Sequence, residues 1–472
     1  MHEILTISIG HRPNHLATQF FNCQEQLLSN LTEKVNDPSI FLQPTIDKIS
    51  KTVSYAPRAL LWDAKAGSGA LATYQYHGSG DYYYADDTSQ ELRSEVIMTE
   101  PRITRAEYQS ALDSGIGELP KLSRETTKYW SDYAKLIYPA TSFNSLTDWY
   151  HDVSSPNLPQ FQKFESRRFD DYEVGYHEFD DNYANDFIDG NLHAQLEQCD
   201  TLQGFNIITD VDSSWGGFAS SMVLELRNEL PKASFITWGY YQADPLTSRD
   251  PASSRITKGN IRTLQNKIRS TVGLAEGSDL VIPLYADAEI SNWEQAGLSC
   301  KIFDTLNALA SQSNPHQRRS LEDIISCLTL GDSSRKFVSS ILGAETLDSS
   351  FFSRVALARN QPYQQHVFNS CRISRCSQPL TARPNSEDNT MKTYAYYPSD
   401  TIPEQYSEDR SFTVELASTE IARNVFMQYE DIVSKYFRHD SDREELKDRL
   451  ASMKSCYEYG WYDDEFSDDD DM

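Results

Sequence analysis

The sequence predicts an α/β protein whose first domain is built on a parallel sheet. A short apolar run over residues 4–9 ends at Gly10, and apolar residues then recur at helical spacing over residues 16–27. This is the pattern of a buried strand, a turn and a helix. Residues 205–230 repeat the same order. Because strands that alternate with helices usually pair in parallel, a parallel sheet is expected.

Both segments contain a glycine turn before a helix, at Gly10 and at Gly216-Gly217. Such a turn presents unpaired backbone N–H groups and the positive end of the helix dipole, which suits phosphate oxygens. Most glycine turns, however, serve only the sterics of the backbone. The spacing alone therefore leaves two interpretations open, and the steric one is the commoner.

Several blocks within about the first 285 residues strengthen the case for a nucleotide-type fold. They are Gly10-His11 and residues 55–58, 130–133, 198–205, 236–239 and 260–274. These blocks resemble the tubulin family and, more closely, the Misato family of tubulin-related proteins. The resemblance implies a tubulin/FtsZ-like α/β fold with an N-terminal parallel-sheet domain of nucleotide type, an intermediate α+β domain and C-terminal helices.

The predicted domain organisation follows from this resemblance and from shifts in composition. An acidic insertion at 150–190 is expected inside the first domain. The predicted parts are a tubulin-like domain over 1–245, an intermediate domain over 246–380, a linker over 381–410, C-terminal helices over 411–460 and a disordered acidic tail over 461–472.

The resemblance also implies a vestigial nucleotide pocket. Its candidate residues are Gly10, His11, Arg12, Asn14, Asp63, Gly216, Gly217, Ser220 and Asn260. For His11, a ligand contact and simple packing against the sheet are equally open. The pocket departs from the tubulin pattern, because Pro13 replaces a glycine, Lys65 replaces an acidic residue, and bulky side chains interrupt the phosphate loop.

We therefore expect neither GTP hydrolysis nor tubulin-style polymerisation, and we assign no catalytic residue, no metal ligand and no cofactor. Binding of GTP or GDP is the alternative. Within the acidic insertion, carboxylates near His177 could hold a divalent ion. An exposed acidic surface is the interpretation we favour there.

The composition restricts the partners. The formal net charge of −27 over 472 residues argues against nucleic acid, whose phosphates would be repelled. No apolar run approaches the roughly 20 residues needed to cross a bilayer, so any membrane attachment is expected to be peripheral. The acidic start at Glu3 predicts neither a signal peptide nor an Arg-rich presequence. Seven cysteines without a CxxC pair predict reduced thiols.

The resemblance implies a non-enzymatic role in mitochondrial distribution and morphology, and in the partitioning of mitochondria and mitochondrial DNA. The expected location is the mitochondrion, at the cytosolic face of its outer membrane, and the cytoplasm. Expected partners are proteins of cytoskeletal, chaperonin or mitochondrial-surface type, and the oligomeric state is left open. A GTP-binding switch or a weakly polymerising GTPase is the alternative function. The acidic tail is either an interaction segment or a solubilising end.

Overall fold

The structure, a computed structural model, describes most of the chain. The described residues are 2–30, 34–46, 51–73, 103–115, 117–152, 158–162, 167–243, 258–343, 349–357, 366–376, 390–438 and 440–460. The predicted tail over 461–472 lies outside them.

The described strands fall into three sheets. They are β1 (Glu3–Ile9), β2 (Leu42–Ile46), β3 (Val53–Pro57), β4 (Ala59–Lys65), β5 (Phe143–Tyr150), β6 (Phe161–Gln162), β7 (Leu202–Asp210), β8 (Ser234–Gln242), β9 (Leu280–Ala286), β10 (Ser340–Leu342), β11 (Val367–Cys376), β12 (Thr390–Tyr394) and β13 (Thr413–Thr419).

The described α-helices cover the sheets. They are α1 (His11–Asn30), α2 (Glu107–Ser114), α3 (Tyr172–Asn182), α4 (Ala184–Asp186), α5 (His193–Leu196), α6 (Ser214–Glu229), α7 (Lys258–Gly277), α8 (Asn292–Ala310), α9 (Leu321–Thr329), α10 (Phe351–Leu357), α11 (Glu404–Ser407), α12 (Ile421–Tyr436) and α13 (Arg443–Ser455).

The main sheet has seven strands in the order β6-β5-β4-β1-β7-β8-β9. All neighbouring pairs are parallel except β5 and β6 at one edge. Strands β1, β7 and β8 are buried on both faces. Both apolar residues and small polar ones, such as Thr6, Asn206 and Thr237, therefore lie in their interior. The predicted α/β class with a parallel sheet is confirmed.

Two predicted boundaries differ from the structure. The boundary at residue 245 lies inside the main sheet, because β9 pairs with β8 along its length. Of the predicted linker over 381–410, residues 381–389 lie outside the described residues. Residues 390–410 are not a linker, since they contain β12 and the fully buried side chains of Tyr396 and Thr401. Composition misled this prediction because prolines and polar residues are also compatible with a packed edge strand and its turns.

The second sheet has the order β10-β13-β11-β12. Strand β13 lies within the region predicted as C-terminal helices, and α12 and α13 follow it as expected. Arg269 of α7 joins these helices to the helices that cover the main sheet. Its guanidinium donates to Asp440 at 2.9 Å and to Asp442 at 2.8 Å, in the turn between α12 and α13.

The predicted acidic insertion contains a packed helix. Residues 153–157 and 163–166 lie outside the described part, but α3 within the insertion packs closely against α6. Tyr172 and Phe179 are buried on its inner face, whereas Glu173, Asp180 and Asp181 are exposed. The prediction of an exposed acidic surface therefore holds for only one face of this helix.

Candidate functional site

The carboxyl ends of β1, β4 and β7 meet at one edge of the main sheet. Ligands of open α/β sheets bind outside this edge. Gly10 ends β1 there with a φ of 106°, a left-handed conformation that favours glycine, and its N–H donates to the carbonyl of Trp62 at 3.0 Å. His11, Arg12 and Asn14 follow in the first turn of α1.

The indole of Trp215 covers the Gly10 turn. A Cβ atom at position 10 would lie 3.2 Å from Cγ of Trp215, so the ring rests directly on the glycine. Trp215 is buried, its Nε1 donates to Gln160 at 3.3 Å, and its ring packs edge-on against Phe169. A phosphate group could approach this face of Gly10 only after the indole had moved.

Gly217 allows α6 to lie close to α3. A Cβ at Gly217 would lie 2.0 Å from the carbonyl oxygen of Tyr172 in α3. From the opposite side, a Cβ at Gly175 of α3 would lie 1.7 Å from the carbonyl oxygen of Ser214. The backbones of α3 and α6 are therefore in contact. A phosphate group could not lie beside Gly217 on this side, because α3 occupies the space.

Gly216 and Ser220 face α7. A Cβ at Gly216 would lie 2.1 Å from Oγ of Ser270, and Ser220 Oγ lies 2.8 Å from the Cβ position of Gly273. Ser220 donates its hydroxyl hydrogen to the carbonyl of Gly216 at 2.8 Å. The lack of side chains at Gly216 and Gly217 thus allows α6 to pack closely against both α7 and α3.

The start of α6 is capped by the chain itself. Ser213 accepts a hydrogen bond from the backbone N–H of Trp215 at 3.4 Å. Ser214 Oγ accepts from the N–H of Asp171 at 2.8 Å and donates to its carbonyl at 2.6 Å. The first turn of α6 is therefore joined to the start of α3 by hydrogen bonds.

Asp63, at the end of β4, is the centre of a buried polar cluster. Its Oδ2 lies 3.2 Å from Nδ1 of His11 and accepts from Trp130 Nε1 at 3.0 Å and from Asn14 Nδ2 at 3.4 Å. Its Oδ1 accepts from the N–H of Ala64 at 2.8 Å. Both carboxylate oxygens are thus engaged by protein donors, instead of facing an open magnesium site.

The cluster fixes the charges of Asp63 and His11. Burial would raise the pKa of Asp63, but the charge and hydrogen bond of His11 hold that pKa below its usual value. Burial would lower the pKa of His11, yet Asp63 raises that pKa above its usual value. Because His11 Nε2 also lies 3.1 Å from the carbonyl of Lys128, the ring fits a doubly donating imidazolium.

Two further histidines surround His11. His151 stacks on it with ring centres 4.5 Å apart, and His15 meets it edge-on at 5.1 Å. Burial and the charge of His11 lower the pKa of His151 to about 4 and hold the pKa of His15 well below its usual value. The cluster therefore holds one charged histidine between two neutral ones.

This cluster predicts an acid-sensitive stability. A histidine whose pKa is lowered in the folded state contributes fully to the free energy of unfolding above its unfolded pKa of 6.5. This contribution to stability is lost as the pH falls toward the folded pKa of about 4. We expect wild type to lose about 2 to 3 kcal/mol more than His151→Gln between pH 7 and pH 4.5. Urea unfolding across this range measures the difference. The exposed His177→Gln is the control, and parallel profiles for wild type and His151→Gln would contradict the prediction.

A second group of charges lies at the ends of β7 and β8. Arg12 donates to Asp210 at 3.1 Å and to Asn292 at 3.3 Å. Burial raises the pKa of Asp210 to about 6, although Arg12 opposes this rise. Buried Lys267 pairs with Asp212 at 3.4 Å. These cations are each held by a carboxylate of the chain.

The remaining candidates lie apart from this cluster. Asn260 is in the first turn of α7, and it is Asn266 that reaches the loop after β7, donating to the carbonyls of Asp170 at 2.8 Å and Asp212 at 3.2 Å. Lys65 lies over the ring of Tyr150 at 5.1 Å. The structure thus brings together Gly10, His11, Asn14 and Asp63, whereas Gly216, Gly217 and Ser220 belong to the helix contacts.

Several residues that close the site are not among the candidates predicted from the sequence. His15 follows His11 by four positions and shares its helix face, so helical spacing could have revealed it. Trp130 and His151 carry no such signal, because they reach Asp63 and His11 only through the tertiary fold. Trp215 is one of the bulky side chains that interrupt the expected phosphate loop, but its placement on Gly10 depends on the tertiary fold.

Among the described residues, one group of three metal-binding types lies close together, on the outer face of α3. It consists of His177, Asp180 and Asp181, whose ligand atoms lie within 4.8 Å of one another, and all three are exposed. Exposed acidic groups are common without an ion. In the described part of the chain, none of the helices has the length and apolar character needed to cross a membrane.

Comparisons with known proteins agree with this architecture. A family model described as a Misato Segment II tubulin-like domain matches residues 2–114, and one described as a tubulin domain matches residues 119–312. Relatives called Protein DML1 are 45% identical in Kluyveromyces lactis, with 99% of each chain covered, and 40% identical in Eremothecium gossypii, with 100% covered. Protein DML1 of Yarrowia lipolytica is 29% identical over 100% of both chains.

Proposed function

Because the chain belongs to the Misato family of tubulin-like proteins, we propose that it acts through its surfaces, without hydrolysing GTP, in the distribution and inheritance of mitochondria. The observation that carries the proposed loss of hydrolysis is the position of the Trp215 ring directly on Gly10. The mitochondrial role rests on the family resemblance.

Three features support a protein without nucleotide chemistry. The phosphate face of the Gly10 turn is covered, α3 fills the space beside Gly217, and the carboxylate of Asp63 is saturated by donors of the chain. Hydrolysis of a nucleotide needs phosphate oxygens held close to backbone donors and a metal ion held by oxygen ligands. In this protein the same positions stabilise the closed fold.

The proposed location is the cytosolic face of the outer mitochondrial membrane, together with the cytoplasm. Attachment is peripheral and runs through partner proteins of cytoskeletal, chaperonin or mitochondrial-surface type. The formal net charge of −27 favours basic or neutral protein surfaces and disfavours nucleic acid.

Depletion in cells tests the role. We expect fragmented or unevenly inherited mitochondria and loss of mitochondrial DNA when the protein is removed, with rescue by the full chain. A chain that lacks residues 463–472 is the matched variant: failure to rescue assigns the role to the tail, and full rescue assigns it to the folded surfaces. Normal networks and inheritance after complete depletion would reject the proposal.

The second candidate function is a GTP-binding switch. It is favoured by one observation: Gly10 and Asp63 keep their places at the carboxyl ends of β1 and β4, and the partly buried Arg12 follows Gly10 in the first turn of α1. In this candidate, Trp215 swings out and the nucleotide takes its place.

Calorimetric titration with GTP and GDP, with and without magnesium, separates the two functions. We expect no saturable heat up to millimolar nucleotide, because Trp215 and α3 occupy the space. Micromolar binding that is lost in Arg12→Glu but kept in the exposed control Lys121→Glu would favour the switch and contradict our expectation.

A further inference from the structure

A cavity of about 130 Å³ lies at the carboxyl end of β9, the last strand in the order of the main sheet. Its walls come from the end of β9 with the loop that follows it, from the first turns of α8, and from the segments that carry Ser349, Arg354 and Tyr406. Strands β7 and β8 separate β9 from β1, so the cavity is distinct from the cluster around Gly10. In another protein core, an engineered cavity of about 150 Å³ binds benzene.

Hydrogen bonds hold the walls of this cavity in place. Gln295 of α8 donates from Nε2 to the carbonyl of Tyr285 at 3.0 Å and accepts at Oε1 from the N–H of Asp287 at 3.1 Å. The N–H of Tyr285 donates to the carbonyl of Ser349 at 3.0 Å, which fixes the segment before α10 against β9. The cavity is therefore preformed, and a ligand would lose little affinity to the ordering of its walls.

The lining of the cavity combines aliphatic surface with a cation. The aliphatic surface comes from four side chains, those of Leu284, Ile290, Leu298 and Ile302. The cation is Arg354, whose guanidinium carbon lies over the ring of Tyr285, 4.2 Å from its centre. A guanidinium is a planar fork that matches the two oxygens of a carboxylate, and it stacks well on aromatic rings. Because it has five N–H donors, it can bind a ligand beside the contacts that it already makes.

The acidic residue of the lining, Asp287, is the other charge that a ligand would meet. Its Oδ1 accepts from the N–H of Glu289 at 2.9 Å, so this carboxylate already stabilises its own loop. Ser349 and Tyr406, which also line the cavity, carry hydroxyl groups that can donate to an anion. The polar groups of the lining therefore favour an anionic ligand over a cationic one.

We propose that this cavity binds a short, branched aliphatic carboxylic acid. The carboxylate is held by the guanidinium of Arg354, and the hydrocarbon body lies against the aliphatic side chains of the lining. Small-molecule sites have this character, since they are concave and largely apolar with a few placed polar groups. Hydrogen bonds between two charged groups are about twice as strong as neutral ones, so the carboxylate decides the specificity. For so small a ligand we expect a dissociation constant on the order of 0.1 to 1 mM.

Three probes of nearly equal shape test the proposal on the full chain. They are isovalerate, its neutral amide isovaleramide, and the cation isoamylamine, each titrated in ligand-observed saturation-transfer NMR. We expect saturable binding of isovalerate, binding of isovaleramide at least about tenfold weaker, and no measurable binding of isoamylamine. Absence of saturable isovalerate binding, or binding of the amide or the amine as tight as that of the acid, would overturn the proposal.

Two variants place the binding in the cavity. Arg354→Met removes the guanidinium and keeps an unbranched apolar side chain, whereas Leu298→Phe adds volume at the wall. Each should weaken isovalerate binding by at least about tenfold, for loss of the charge and loss of the space respectively. Arg372→Met on β11 is the matched control and should bind like wild type. Urea unfolding shows that each variant is folded, and isovalerate binding unchanged in both cavity variants would contradict the assignment.

Discussion

Replacing Gly217 with alanine is expected to lower the free energy of unfolding by about 3 kcal/mol or more. The added Cβ would lie 2.0 Å from the carbonyl oxygen of Tyr172, which is backbone and cannot turn away as a side chain can. Relief requires α3 to move off α6, and this movement would break the contact at Gly175 and expose the apolar face that carries Phe179. Thermal and urea unfolding measure the loss.

The matched control for this experiment is Gly190→Ala. Gly190 lies in the π-helical turn Phe187–Leu192, which directly follows α4. Nothing lies within 4 Å of its Cβ position. Alanine there should be neutral or stabilise by up to about 1 kcal/mol, because it reduces the entropy of the unfolded chain. Equal stability of Gly217→Ala and Gly190→Ala would show that the two helices are not packed as closely as described.

The glycine experiment also separates two roles of Gly217. If the residue served a phosphate, alanine would reduce nucleotide binding and leave stability nearly unchanged. If it serves the contact between α3 and α6, stability falls in the absence of any nucleotide. We expect the second result, since the clash involves only atoms of the chain.

Replacing Arg375 with methionine is expected to cost about 3 to 5 kcal/mol, the range for breaking a buried ion pair. Arg375 is unexposed and pairs with Asp304 of α8, and it also donates to Thr305 at 3.1 Å and to the carbonyl of Tyr394 at 3.3 Å. Gln24 of α1 donates to the same carboxylate at 2.9 Å. The pair therefore joins the second sheet to α8 and, through Gln24, to α1.

The pH dependence of this variant has a definite sign. Burial already raises the pKa of Asp304 in the wild-type protein, and Arg375 opposes that rise. Without Arg375 the pKa of Asp304 in the folded protein rises further. Its contribution to stability is then present below its unfolded pKa and is lost as the pH rises. We expect Arg375→Met to lose more stability at pH 7 than at pH 5, and a further Asp304→Asn to recover part of the loss at pH 7.

An exposed pair on the same strand is the control. Arg372 of β11 pairs with Glu415 at 2.8 Å, with half of the arginine side chain exposed. Arg372→Met should cost less than about 1 kcal/mol, because water screens the pair and solvates the carboxylate that remains. A cost at Arg375 no larger than that at Arg372 would contradict a buried, poorly solvated bridge.

The candidate site was only partly predictable from the sequence. The strand that ends at Gly10 could be read from its apolar residues, and Asp63 was placed at the site by the resemblance to tubulins. The partners of Asp63 could not be read, because Trp130 lies 67 positions away and reaches it only after the sheet has formed. The same holds for His151, which stacks on a ring 140 positions earlier.

The glycines at 216 and 217 show why a motif alone misleads. A glycine pair before an apolar helix fits a phosphate loop and fits close helix packing equally well, since both need the absence of a Cβ. Only the position of α3 decides between them, and α3 lies in a region whose composition predicted an exposed insertion. Its alternation of acidic and aromatic residues describes one solvated face and one buried face.

The sequence by itself determined the α/β class, the parallel strands, the last two helices and the family, because apolar spacing and ordered blocks are properties of the chain read in line. Tertiary structure alone decided that Trp215 closes the Gly10 turn, that His11 is charged between two neutral histidines, and that Arg375 reaches Asp304. Each of these depends on which side chains come into contact when they are buried, and on the loss of hydration that makes an unpaired buried charge costly. Neither the contacts nor the burial exist before the chain has folded.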